Sequence, residues 1–313
     1  MLNKSQTLTD FLLHEEITSP PVNGSLTMVL LQIENSVKII GSHIKQSGLV
    51  DILGKTGYKN AFNDEVQRFD DLSNTLLVTT LLSSGEVYAV ASEELKEPIY
   101  SKNKGGDFIV CIDPLDGSSN VDCNASLGTI FSIYKKGDNI LQKGNDQIAA
   151  GYVLYGPSIM FVLTTGKGVN GFTLDPSIGS FLLSHSNIII PEKGSQYAIN
   201  EGYSSNFTNQ TKKFLKSFKS NGAKLRYSGC MVSDVHRILI QGGIFLYPAD
   251  NKNPNGKLRL LYEINPMAFI INQAGGLAVS DGIDPLTILP NSVNQTMSIV
   301  LGSKDNVKIY KSF

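Results

Sequence analysis

The spacing of apolar positions changes along the chain, and the changes mark its elements. Leu26, Val29, Leu30, Ile33, Val37, Ile40 and Ile44 recur every three or four residues, which predicts an amphipathic helix ending near Gly48. A second helical stretch carries Val66, Phe69, Ser73, Leu76 and Thr80 on one face, with Asn63 and Asp64 as N-caps and a stop at Gly85. Residues 53–62 between them hold Gly54 and Gly57 and no period, so they predict a loop. From Val87 the period shortens. Residues 87–91, 108–112, 129–134, 149–155, 159–165 and 181–185 are short apolar or alternating runs separated by Gly, Pro and Asn, which predicts strands. Beyond Ser186, helical patterns at 207–219, 231–241 and 260–274 alternate with extended ones at 224–227, 244–247 and 300–303. This order predicts an α/β (α+β) protein with helices packed on mixed sheets. Two layered regions would join between Ser186 and Gly194.

Composition narrows the class. The 313 residues include 27 Lys and Arg against 28 Asp and Glu, a net charge of −1, with 41% hydrophobic and 18% charged residues. That balance argues against intrinsic disorder and against a nucleic-acid partner attracted by bulk charge. No apolar run approaches the roughly 18 residues of a membrane span, so no membrane association is expected. No secretory signal is visible at the start. Cys111, Cys123 and Cys230 lack paired spacing, which argues for a reducing compartment and small buried roles. The expectation is a cytoplasmic protein.

The near-zero net charge hides segregation. Residues 86–122 are rich in acid (Glu86, Glu93, Glu94, Glu97, Asp107, Asp113, Asp116, Asp122), and residues 202–233 hold Lys212, Lys213, Lys216, Lys219, Lys224 and Arg226 with no acid. Solvated faces explain most such runs. One string asks for more. In Cys111-Ile-Asp-Pro-Leu-Asp-Gly-Ser-Ser-Asn120 an apolar strand runs into two aspartates flanking a proline. Converging like charges at a strand end are costly unless a cation or donors compensate, and hard carboxylate oxygens suit Mg²⁺ or Mn²⁺. The backbone after Asp116, at Gly117, Ser118 and Ser119, would form a nest for a phosphate. An Asx-turn with a helix cap is the plainer alternative. Glu93 and Glu94 follow another predicted strand, and Glu263 sits at an otherwise apolar helix start, so all three are candidate partners of the aspartates.

These residues carry a resemblance. Ser-Glu93-Glu94, Asp113-Pro-Leu-Asp116-Gly-Ser-Ser-Asn, Asn200-Glu-Gly-Tyr203, Gly-Gly-Ile-Phe-Leu-Tyr247-Pro and Gly-Lys257-Leu-Arg259-Leu-Leu-Tyr-Glu263 resemble, in order and over almost the whole chain, the class I fructose-1,6-bisphosphatases. The aspartate string alone would indicate only the wider Mg²⁺-dependent, lithium-sensitive sugar phosphatase superfamily. The resemblance implies a layered α-β-α-β-α sandwich, with residues 1–187 carrying the metal motifs and the allosteric-site region and residues 188–313 binding the sugar phosphate. It implies hydrolysis of the 1-phosphate of fructose 1,6-bisphosphate in gluconeogenesis, with two or three Mg²⁺ (or Mn²⁺) per subunit. Asp113, Asp116 and Glu263 would hold one ion. Glu93, Asp113 and the Leu115 carbonyl would hold a second, and Glu93 with Asp64 a third. Glu94 and Asp70 would take the proton of the attacking water. Asp116, Gly117, Ser118 and Ser119 would meet the reacting phosphate. Asn200, Tyr203, Tyr227, Tyr247 and Lys257 would bind the other phosphate, and Met231 the sugar. Arg226 would reach in from a neighbouring subunit of a homotetramer. Sedoheptulose-1,7-bisphosphatase activity and a non-catalytic sugar-phosphate sensor are the alternatives.

The chain also departs from the family pattern. Many members are inhibited by AMP. Gly24 and Thr27 match the expected phosphate-binding turn, but Asp107-Phe108 stands where Lys-Tyr is expected and Lys135 where Arg is expected. An acid and a lost hydroxyl predict weak or absent AMP inhibition.

Overall fold

A computed structural model describes residues 6–18, 24–47, 49, 55–59, 65–102 and 105–313. Its helices are α1 Leu8–Thr18, α2 Gly24–Lys45, α3 Arg68–Ser83, α4 Asn209–Ser220, α5 Met231–Gln241, α6 Asn265–Gln273 and α7 Lys304–Lys311. Strands β1 Lys55–Lys59 and β2 Glu65–Gln67 pair with each other. The first large sheet comprises β3 Val87–Ser92, β4 Ile99–Tyr100, β5 Phe108–Asp116, β6 Leu127–Lys135, β7 Gln147–Tyr155, β8 Ile159–Thr164, β9 Asn170–Asp175 and β10 Ser180–His185. They lie in the order β10-β9-β8-β7-β6-β5-β3-β4, antiparallel throughout except for the parallel pair β3 and β5. The second sheet uses β11 Gln196–Ala198, β12 Lys224–Leu225, β13 Ile244–Tyr247, β15 Leu277–Val279 and β17 Ile299–Gly302 in the order β12-β11-β13-β17-β15. Between these lie β14 Leu258–Arg259 and β16 Thr296–Met297, which pair on their own.

Side-chain alternation makes these sheets into layers. In β6 and β7, Phe131, Ile133, Ala149 and Val153 pack against α1, α2 and α3 through Leu8, Leu12, Leu30, Ile33 and Leu77. Their neighbours Ile130, Ala150 and Tyr152 face the other way and pack on Val232, Val235, Met267 and Ile270 of α5 and α6. The second sheet repeats the pattern. Phe245, Ile299 and Leu301 face α5 and α6, whereas Ile244, Leu246 and Val300 face Phe214, Leu215 and Val307 of α4 and α7. A strand period of two buries both faces, so five layers form, α-β-α-β-α, with α5 and α6 shared in the middle.

The second helix corrects one expectation. It starts at Arg68, and Val66 lies in a strand. Its buried face is Phe69, Asp70, Ser73, Asn74, Leu77, Val78 and Leu81, while Leu76 and Thr80 are half-buried. The face turns by one position because Asp70 and Asn74, which hydrophobicity places outside, are inside. Part of the predicted loop, Lys55–Lys59, is a strand. The cysteine expectation also divides: Cys111 and Cys230 are buried, but Cys123 is exposed.

A polar pair joins the first sheet to the central layer. The Tyr152 hydroxyl lies 2.9 Å from His236 Nδ1. Burial pushes the tyrosine up and keeps its hydroxyl neutral, so the two groups share one proton across this contact. Burial, then the charges of His185 and Arg237, lowers His236 to about 4 from 6.5. Between those values the unfolded chain holds the extra proton, so stability falls as pH drops from 6.5 towards 4. We predict that His236→Asn, which keeps an acceptor but does not titrate, flattens this limb of a melting-temperature profile. The wild-type loss attributable to His236 approaches ~3 kcal/mol, and identical profiles would contradict it.

Candidate active site

The site forms where two parallel strands end side by side. Ser92 of β3 is in register with Ile112 of β5, and the Glu93 N–H donates to the Ile112 carbonyl at 3.0 Å. Glu93 therefore leaves the sheet beside Asp113. In β5, Asp113 pairs with Ile130 and Asp116 with Gly128, so three steps on one strand oppose two on the other. This bulge reverses the alternation and lets residues three apart share a side of the sheet. Thr129 Oγ1 donates to the Pro114 carbonyl at 2.9 Å and holds the bulge, and the Leu115 N–H donates to Asp113 Oδ1 at 3.2 Å. Glu263 arrives from the C-terminal half on a π-helical turn, Leu260–Ile264, whose Leu261 and Tyr262 pack against Ile109 and Cys111 of β5. Such wide turns recur at functional sites.

Ligand oxygens of Glu93, Asp113 and Glu263 lie within 4.8 Å of one another. Burial, then repulsion by Glu93, Asp116, Glu263 and Glu94, pushes Asp113 well above the usual carboxylate range. Burial and Glu93 raise Glu263 in the same way, against the pull of Arg259. Arg259 contributes an ion pair of 2.7 Å to Glu93, and its N–H donates to Glu263 at 2.6 Å. Among the described residues, the guanidinium of Arg259 faces three converging carboxylates. Converging hard oxygens of this kind fit a divalent cation such as Mg²⁺ or Mn²⁺.

Asp116 lies beside this triad and is engaged elsewhere. Its oxygens accept from the N–H groups of Met231 at 3.1 Å and Val232 at 2.6 Å and from Cys230 Sγ at 3.0 Å, all at the start of α5. Burial raises its pKa, and these three donors oppose the rise. The helix reaches Asp116 because Gly117 and Gly128 have no side chains. A Cβ at Gly117, where φ is 76°, would lie 2.7 Å from Cys230 Cβ, and one at Gly128 would overlap Val232. Ser118 and Ser119 follow in a short 3-10 turn, half-buried and exposed respectively.

Asp70 is buried in the first turn of α3. One turn on, Asn74 Oδ1 accepts from Ser92 Oγ at 2.7 Å, and Ser92 Oγ accepts from the Glu94 N–H at 3.4 Å. The start of α3 is thus tied to the strand end that carries Glu94. Asp64 lies outside the described residues.

The neighbouring pocket gathers four of the phosphate candidates, Asn200, Tyr203, Tyr247 and Lys257. Lys257 Nζ sits 4.5 Å above the Tyr203 ring. Burial raises the Tyr227 hydroxyl, which hydrogen-bonds the Asn200 side chain. Burial raises Tyr247, and the Glu263 carboxylate is near enough to push it the same way, so the pocket adjoins the carboxylate cluster. Met231 is buried at the start of α5. Arg226 is not brought in: it is exposed and donates to its own neighbour's carbonyl, Leu225, at 2.9 Å.

Residues 6–186 match the family described as "Fructose-1-6-bisphosphatase, N-terminal domain", and residues 190–313 match "Fructose-1-6-bisphosphatase, C-terminal domain". The chain belongs to the fructose-1,6-bisphosphatase family. It is therefore an enzyme, a phosphoric monoester hydrolase. It is 51% identical over 313 residues to a protein of Persephonella marina named fructose-1,6-bisphosphatase class 1, covering 98% of each chain. It is 44% identical to the cytosolic fructose-1,6-bisphosphatase of Oryza coarctata, covering 97% of this chain and 92% of that one. The holo form of the Leishmania major fructose-1,6-bisphosphatase superposes with a TM-score of 0.93 at 37% identity, covering 98% of both chains, and its T-state with 0.88.

Sequence reasoning about this family member missed the thiol of Cys230, which both caps α5 by accepting from the Ser233 N–H at 3.4 Å and donates to Asp116. Its position before a predicted helix was a visible signal, but Cys is not among the usual caps. It also missed Asn120, whose amide reaches Ser228 in the other half of the sequence, and Asp234, which accepts from the Ser228 N–H.

Asp113 provides the sharpest test of the cage. Asp113→Asn removes a buried charge whose partners are mostly negative. We predict a higher melting temperature than wild type in chelator, by about 1–3 kcal/mol of stability, and loss of the stabilisation that Mg²⁺ gives the wild type. A destabilised variant that still responds to Mg²⁺ would contradict it.

Proposed function

We propose that the chain hydrolyses the 1-phosphate of fructose 1,6-bisphosphate, giving fructose 6-phosphate and phosphate in gluconeogenesis. The observation that carries this reading is the convergence of Glu93, Asp113 and Glu263 beside the pocket of Asn200, Tyr203, Tyr247 and Lys257, in a chain of this family. The two sites suit the two ends of a bisphosphate. Mg²⁺ or Mn²⁺ held by Glu93, Asp113 and Glu263, with the Leu115 carbonyl, Asp116 and Asp64 as further ligands of two or three ions, would neutralise phosphoryl charge and acidify a water. The chain's own groups would do the rest. Glu94, with Asp70 behind it, would accept the water's proton at a carboxylate oxygen. The Asp116-Gly117-Ser118-Ser119 turn would orient the reacting phosphate. Asn200 and the hydroxyls of Tyr203, Tyr227 and Tyr247 would donate to the remote phosphate, and Lys257 would balance its charge. Met231 would pack on the sugar. Burial keeps Tyr227 and Tyr247 protonated, as donors must be.

We place the boundary between a metal-binding domain and a sugar-phosphate domain at residues 187 and 188. We read the protein as a cytoplasmic homotetramer in which Arg226 serves a neighbour's site. Two features support this: Arg226 lies exposed beside Tyr227, and no helix among the described residues is long and apolar enough to cross a membrane.

The direct test is phosphate release with Mg²⁺ from fructose 1,6-bisphosphate, sedoheptulose 1,7-bisphosphate and inositol phosphate side by side, for wild type and Glu94→Gln. We expect wild-type release from fructose 1,6-bisphosphate and none from inositol phosphate, with Glu94→Gln at least ~100-fold slower. Preference for the heptulose would favour the alternative substrate, and no release from any would favour a sensor. Full turnover by Glu94→Gln would remove that residue from the mechanism.

The allosteric expectation has its own test. Gly24 opens α2 and Thr27 is buried in its first turn. Asp107 is exposed at the start of β5, and the buried Phe108 pairs across the sheet with Lys135. The departures are therefore neighbours, and the acid would repel a nucleotide phosphate. We predict that AMP leaves activity unchanged at low micromolar concentrations; inhibition there would refute this.

A further inference from the structure

Ser228 follows Arg226 and Tyr227 directly, and both sides of its backbone are held. Asp234, in the first turn of α5, accepts the Ser228 N–H at both carboxylate oxygens, at 2.9 and 3.1 Å. Asn120, in the turn that follows the aspartate strand, donates its amide to the Ser228 carbonyl at 3.2 Å and to Ser126 at 3.0 Å. The Ser228 hydroxyl closes the turn locally by donating to the Cys230 carbonyl at 3.2 Å. Cys230, Met231 and Val232 then hold Asp116. One short backbone stretch thus leads from the carboxylate cluster to Tyr227.

The stretch before it has little packing of its own. Residues 224–229 are all exposed, whereas Asp234 and Asn120 are 2% and 9% exposed. The Arg226 N–H, bonded to the Tyr197 carbonyl at 2.8 Å, is the last link to the second sheet before Tyr227. An exposed segment without core contacts takes its conformation from such anchors. A buried carboxylate accepting a backbone N–H makes a charge-assisted hydrogen bond, stronger than a neutral one.

We infer that Asp234 is a positioning residue for the sugar-phosphate site: through the Ser228 N–H it holds the Tyr227 hydroxyl beside Asn200. This rests on the reading of Tyr227 as a donor to the substrate's remote phosphate. Tyr227 would contribute to binding in the ground state and the transition state alike, so its displacement raises KM and leaves kcat. Asn at position 234 keeps one acceptor oxygen, so it preserves most of the anchor.

The test is steady-state kinetics with fructose 1,6-bisphosphate for Asp234→Ala and Asp234→Asn, each alone and combined with Tyr227→Phe. Losing an anchor of this kind is expected to raise KM about tenfold in Asp234→Ala, with kcat within about twofold. Asp234→Asn is expected to restore most of the loss. In the Tyr227→Phe background, Asp234→Ala is expected to add less than about twofold, because the two act as one unit. A folded Asp234→Ala with wild-type KM, or two KM effects that simply multiply, overturns the inference. If Tyr227→Phe alone leaves KM unchanged, the reading of Tyr227 fails and the inference falls with it, a different pattern from the first. Should Asp234→Ala not fold, Asn120→Ala releases Ser228 from the other side and is expected to give the same Tyr227-dependent rise in KM. A fall in kcat alone contradicts it.

Discussion

Three carboxylates held within 4.8 Å of one another below the protein surface cannot all carry charge without a positive partner, and much of this molecule is arranged around that constraint. Parallel pairing of β3 with β5 puts Glu93 and Asp113 side by side, and the bulge at Pro114 brings Asp116 round to them. The π-helical turn adds Glu263 from the far half of the sequence. The bulge and the π-helical turn depart from regular structure, and all three devices gather negative charge. A stable fold gains nothing from such a cluster, so a bound cation is the economical explanation for its existence.

The same strand end also joins the layers. Asp116 offers its oxygens to the start of α5, and that helix packs on the first sheet through Val232 and on the second through Ile238. The carboxylate that the family pattern assigns to a metal is thereby also a helix cap. This dual use ties the geometry of the cage to the packing of the middle layer. Asn120 and Asp234 extend the link through Ser228 to Tyr227. The carboxylate cluster and the neighbouring tyrosines are thus connected through one short segment.

How much of this was legible depended on the physics of each element. Helix α5 and strand β13 lie where the apolar pattern put them, because α5 is amphipathic and stops at Gly242, and β13 is a short apolar run bounded by Gly243 and Pro248. Strand β9 escaped notice because Asn170, Gly171 and Thr173 dilute its alternation, and only the ladder with β8 and β10 shows it. Helix α1 was missed because Leu13 and Ile17 are exposed while Leu8 and Leu12 are buried, which blurs its face. The three carboxylates that converge, Glu93, Asp113 and Glu263, stood out by motif, since each stands at a predicted element end. Their support was not legible. The hydrogen bond from Cys230 to Asp116 depends on an approach distance that two missing Cβ atoms, at Gly117 and Gly128, allow, and no periodicity records that or the bond from Ser228 to Asp234.

The most direct test of the cage is anomalous diffraction at the manganese edge from crystals grown with Mn²⁺. The account predicts a peak about 2.0–2.3 Å from oxygens of Glu93, Asp113 and Glu263, absent from crystals of Asp113→Asn. Manganese bound elsewhere, or no peak at this cluster at saturating Mn²⁺, would contradict it.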